Sequence, residues 1–206
     1  MRYARRLAEV ICVLSVTFGV FAICLTVIHG RTSSYSEQES GTPDTDTVVV
    51  DPLFVDPYAN WVRPPGPLRV GIQVGHWQAT EAPDEQEQLR VNTGASAAGT
   101  TEWETNLAVA TQMKLLLEAE GVGVDLLPVT IPPDYWADAF ISLHSDGNLD
   151  TSVSGFKLSA PRRDRSGGAS KLAELVKVSY ASTTKLSWDE NITANMRGYY
   201  AFNWRK

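Results

Sequence analysis

The chain has 206 residues and a net charge of −6, long enough for one domain with a real core plus extensions. Six acids between Thr32 and Val62 (Glu37, Glu39, Asp44, Asp46, Asp51 and Asp56) stand with no Lys or Arg among them, so this segment accounts for the whole net charge. The formally neutral remainder lacks the basic footprint of nucleic-acid binding and excludes that class of function.

Arg2, Arg5 and Arg6 precede an apolar run from Val10 to Ile28, broken only by Ser15, Thr17, Gly19, Thr26 and two cysteines. About 20 such residues cross a bilayer as a helix, and the arginines would hold the N-terminus in the cytoplasm. Residues 1–29 are therefore predicted to be a basic tip and a single-pass signal-anchor that places the rest in the cell envelope. The alternative is a cleaved signal peptide, whose apolar region is usually shorter and ends in a small-x-small site not seen here. Cys12 and Cys24 both fall in this run, leaving the exported part without disulfides or thiolate ligands. Residues 30–67, rich in Ser, Thr, Asp and Pro, read as a flexible acidic linker closed by Pro64, Pro65, Gly66 and Pro67.

Residues 68–206 carry the globular pattern. Leu68 to Val74 is predicted to be a strand closed by Gly75, His76 and Trp77; Gln78 to Thr101 is polar and suggests a long loop over a site. A helix starts at Glu102, with Trp103, Leu107, Ala110, Lys114 and Leu117 on one stripe, widened by Met113 and Leu116, and ends before Gly121. Strands are expected at Val122 to Leu127, up to His144 and at Gly155 to Ser159, with a second helix at Ser170 to Tyr180 and a helix or turn leading to a last strand within Trp188 to Lys206. Strands alternating with helices argue for an α/β fold, a mixed, mostly parallel twisted sheet flanked by helices and covered on both faces.

Two of the three histidines, His76 and His144, end predicted strands, where α/β sheets place their ligands; the first, His29, lies in the apolar segment. Glu102 opens a helix. Two imidazoles and one carboxylate from three separate elements form a known catalytic zinc set with a fourth position left for water. Such a zinc lowers the pKa of its water toward about 7 and polarises an amide carbonyl. The bland alternatives are hydrogen-bonded structural histidines and an acid favoured by the helix dipole. Glu104 competes with Glu102 but faces about 200° around the helix. Asn106 shares the face of Glu102, and Arg162, Arg163 and Arg165 form a loop that could meet an anionic substrate or simply be solvated.

Val-Gly-Ile-Gln-Val-Gly-His76, Glu102-x-x-x-Asn106-Leu107, Gly121-Val-Gly-Val and Ala-Asp-Ala-Phe-Ile-Ser-Leu-His144-Ser-Asp-Gly resemble the zinc-dependent N-acetylmuramoyl-L-alanine amidases of bacterial cell walls. The resemblance implies zinc on His76, Glu102 and His144, peptidoglycan as partner, and cleavage of the amide between N-acetylmuramic acid and L-alanine. Trp77 stands where that family commonly has glycine, and the family's general-base glutamate, in a Glu-x-Gly-Phe context, has no counterpart. The resemblance thus implies a catalytic domain cut short before its base, with Asp146 as a weak substitute; losing such a base costs about 10² to 10⁴ in rate. The second expectation is an inactive peptidoglycan-binding module that keeps a residual zinc site.

Overall fold

The computed structural model describes residues 22–27, 61–97, 99–150, 152–162, 164 and 167–200. His29, most of the acidic linker, Arg163, Arg165 and the last six positions lie outside the described residues, as do residues 1–21 of the apolar N-terminal segment.

Three strands form the parallel heart of the sheet. β2 (Arg69–Val74) lies between β5 (Gly123–Leu127) and β6 (Ala139–His144), parallel to both, with Val70 opposite Val124 on one side and Ala139 on the other. These strands match the apolar runs read from the sequence, because segments paired on both edges and covered on both faces need little polar surface. β7 (Lys157–Ser159) is shorter than its predicted run. Phe156, just before it, pairs instead as an isolated bridge with Trp188.

The strand between β6 and β7 departs from expectation. β1 (Ala22–Val27) comes from the segment predicted to span a membrane as a helix; it runs antiparallel to β6 and parallel to β7, giving the sheet order β5-β2-β6-β1-β7. A six-residue, mainly apolar run with β-branched Ile23, Thr26 and Val27 suits a strand as well as a helix, since so short a run does not reveal its period. Pairing on both sides also covers the β6 edge, which would otherwise expose a row of unpaired backbone groups. Among the described residues no helix is long and apolar enough to cross a membrane.

α1 (Glu102–Ala119) and α2 (Ala169–Thr184) are the two predicted helices, and a short α3 (Ala194–Arg197) occupies part of the aromatic C-terminal stretch. Val109, Met113 and Leu117 of α1 share one cluster with Leu172, Val176 and Tyr180 of α2 and with Val70, Ile72, Val74, Ile141 and Leu143 of the sheet. Both long helices therefore flank the sheet on the same face. The opposite face is closed by a second cluster: Leu127, Ile131 and Phe140, with Tyr135, Tyr199 and Tyr200 packed against them.

The polar stretch 78–101 is more structured than a loop. It holds two 3-10 helices, Ala79–Glu81 and Asp84–Leu89, then a small hairpin of β3 (Ser96–Ala97) and β4 (Thr100–Thr101) that runs directly into α1. The end of the predicted linker belongs to the domain. Arg63 holds the Asp138 carboxylate through Nε at 2.5 Å and Nη2 at 2.7 Å, while the same carboxylate accepts from the Arg69 backbone N–H at 2.8 Å.

Ile141, at the centre of β6, is fully buried. Ile141→Ala is expected to cost about 2–5 kcal/mol, from lost transfer energy and the cavity left behind. Urea unfolding followed by circular dichroism would measure it.

Candidate metal centre

Three elements converge beyond the carboxyl ends of β2 and β6. Gly75 makes this possible: its N–H donates to Leu143 O at 2.9 Å, and a Cβ there would stand 2.6 Å from the His144 ring. The next residue, His76, takes a left-handed φ of 63°, which non-glycine residues rarely adopt and which tends to mark functional sites. That turn brings its ring edge-on to His144, with centroids 5.1 Å apart.

Glu102 enters from α1. Thr101 caps the helix, accepting from Glu104 N–H at 3.4 Å while Glu104 Oε2 accepts from Thr101 N–H at 2.8 Å. This capping box occupies Glu104, the competing acid, on the exposed side, and its Thr-x-x-Glu pattern is already visible in the sequence. Glu102 is left on the buried face with Asn106, Val109, Ala110, Met113 and Leu117. That face differs from the predicted stripe because its first turn points into the cluster rather than the apolar core.

The three side chains form one compact group. Glu102 Oε1 lies 3.0 Å from His144 Nδ1 and 3.5 Å from His76 Nε2, and one donor atom from each residue can be chosen so that all lie within 4.8 Å of one another. Donors about 2.0–2.1 Å from a tetrahedral ion stand about 3.3 Å apart, and the two carboxylate separations bracket that value. The group could thus hold a metal ion; no further His, Cys, Asp or Glu among the described residues joins it.

Outer contacts aim each member. His76 Nδ1 meets Asn92 O at 2.8 Å, and His144 Nε2 meets Tyr199 Oη at 3.0 Å, so each imidazole has its second nitrogen engaged and the first turned inward. Glu102 Oε2 accepts from Ala95 N–H at 3.0 Å and Oε1 from Ser145 N–H at 3.0 Å. Burial disfavours the Glu102 charge, but the His144 hydrogen bond, the Ala95 N–H and the charges of both imidazoles outweigh it and hold the carboxyl at about 2, below its ordinary 4.5.

The remaining predicted residues fall elsewhere. Asn106 is fully buried, accepting from Ser145 Oγ at 2.8 Å while its Nδ2 has no partner; it braces the Ser145 turn and presents no surface to a substrate. The Asp146 carboxylate, about half exposed, lies 3.7 Å from Lys157 Nζ. Arg162 is exposed beside α3, its backbone N–H donating to Arg197 O at 2.8 Å. Trp77 packs on the core cluster at the rim.

Sequence reasoning missed the collar Asn92 to Ala95 and the Tyr199–Gln73 contact. The polar Gln73 inside an apolar strand and the glycine at 94 were available signals. Tyr199, 55 positions from His144, offered none.

A Cβ at Gly94 would stand 2.8 Å from both Glu102 Oε2 and His76 Cδ2, at a φ of 79°, whereas Gly99, at 81°, faces open space. Gly99→Ala should therefore report backbone strain alone, about 1–3 kcal/mol. Gly94→Ala should cost more in the same urea titration, the excess being displacement of the two site residues.

The depressed Glu102 value also has a pH consequence. Its contribution to stability is fully present above the unfolded value of 4.5 and is lost as pH falls toward about 2. In chelator, the stability advantage of the wild type over Glu102→Gln should shrink across that window in acid unfolding titrations.

No protein-family model, curated protein or solved structure matches the chain.

Proposed function

We propose that the domain holds zinc on His76, Glu102 and His144 and acts on peptidoglycan, hydrolysing the amide between N-acetylmuramic acid and L-alanine. The observation that supports the metal part of this reading is the donor set, two imidazoles and one carboxylate, each from a different element and each with its outer atoms already engaged, while the substrate rests on the resemblance of the segments around His76, Glu102 and His144. A zinc held by three such donors keeps a position open, which separates hydrolytic sites from closed structural ones. When bound, the ion supplies an acidified water and polarises the substrate carbonyl. The residues of the chain supply rigidity: the strained His76 turn, the buried carboxylate and the collar of Asn92 to Ala95 hold the donors in place before any ion arrives. Arg162 and Arg163 are proposed to meet the anionic parts of the substrate.

A second reading, a peptidoglycan-binding module with a residual zinc site, is favoured by one observation. Among the described residues Glu102 is the only carboxylate of the cluster and both its oxygens are engaged, while Asp146 pairs with Lys157. A hydrolase needs a further group to take the proton of the attacking water.

The basic tip and the apolar run up to Ile28 support export and an envelope location. The same run supplies β1, so Ala22–Val27 occupy either the sheet or a bilayer and not both at once.

Elemental analysis of the purified chain is expected to find one zinc per molecule, lost in His144→Ala. Incubation with purified peptidoglycan should then release free stem peptides. Binding to the wall without release would favour the module reading, and a zinc content unaffected by His144→Ala would sink both.

A further inference from the structure

A polar network runs from the buried face of the sheet to the outer nitrogen of His144. Ser142 Oγ, fully buried on β6, donates to Gln73 Oε1 on β2, which fixes the direction of the Gln73 amide. Its Nε2 then points at Val129 O at 3.0 Å, Tyr200 Oη at 3.2 Å and Tyr199 Oη at 3.3 Å. Tyr199 Oη in turn lies 3.0 Å from His144 Nε2, its ring edge-on to the imidazole with centroids 5.1 Å apart. Gln73 and Ser142 each have 0% exposure, so this network is built into the core rather than laid on the surface.

The chemistry of the imidazole gives the network a task. His144 turns Nδ1 toward Glu102 Oε1 and Nε2 toward Tyr199, and a neutral imidazole carries one proton on one of these atoms. Without a metal, a proton on Nδ1 is satisfied by the Glu102 carboxylate. To ligate, Nδ1 must present its lone pair, so the proton must sit on Nε2 and needs an acceptor there. A phenol oxygen serves either state: it accepts from Nε2–H when Nδ1 is a ligand and donates to bare Nε2 when it is not. Phenylalanine at the same place would serve neither.

We propose that Tyr199, held by the Gln73 amide, is a positioning residue that sets the His144 tautomer for metal binding through Nδ1. This rests on the metal-centre reading above and adds to it a specific ligating atom and a residue outside the donor set. Tyr199 fills the same place, between the second cluster and the site, that joins the far face of the sheet to the metal centre.

The test uses the full chain and Zn²⁺ at fixed pH. Competition against a chromophoric chelator should give a dissociation constant about 10- to 100-fold weaker for Tyr199→Phe than for wild type, the range for loss of an outer partner. Metal-free unfolding of the variant, compared with wild type, separates this from a loss of fold. Independently of any variant, nitrogen-15 NMR of the zinc-loaded wild type should show the His144 proton on Nε2 and the metal on Nδ1. Ligation through Nε2, or a Tyr199→Phe affinity within about twofold of wild type, would overturn the tautomer role while leaving the centre intact if His144→Ala still abolishes binding. A wild-type chain that takes up no Zn²⁺ would overturn the metal reading and this inference together.

Discussion

Glu102 is a carboxylate buried between two imidazoles, and much of the surrounding structure serves to make that burial tolerable. An isolated charge at 6% side-chain exposure would be expensive to desolvate. Here both oxygens are occupied, Oε1 by His144 and the Ser145 N–H and Oε2 by the Ala95 N–H. These contacts tie α1, the hairpin before it and the end of β6 to one side chain. The left-handed turn at His76 is held by the same group, since its ring lies against both Glu102 and Gly94.

The sheet supplies the rigidity on which those contacts depend. β2 and β6 are parallel neighbours, so their carboxyl ends deliver His76 and His144 to the same edge. Side chains alternate across the sheet: Ile72, Ile141 and Leu143 face the helices, while Gln73 and Ser142 face the opposite side. That second face is polar where it approaches the site and apolar where Phe140 and Leu127 close it. Burial, with Tyr199 alongside, pushes the Tyr200 phenol well above its ordinary value, so the network there is one of neutral hydroxyls and amides.

β1 places a second constraint on the fold. With Ala22–Val27 in the sheet, β6 has a partner on each side and α2 lies against a continuous surface. The residues that read as the apolar half of an anchor thus complete the strand that carries His144. Ala22–Val27 pair along the whole of β6, the strand that ends at His144.

Local pattern by itself determined a good deal. The apolar runs of β2, β5 and β6, the helix opening at Glu102, and the two histidines at strand ends were legible because strand burial and helix periodicity leave their mark within a few neighbouring residues. The convergence of His76, Glu102 and His144 was legible as far as strand ends define one edge of a sheet. Tertiary structure alone decided the rest: that both long helices share a face, that Asn106 braces a turn, that Arg63 fastens the linker end, that an apolar N-terminal segment pairs as a strand, and that Tyr199 reaches His144. Each of these depends on contacts between residues tens of positions apart. Such contacts are set by packing and by hydrogen-bond satisfaction in the folded chain, and neither is written in any short stretch of sequence.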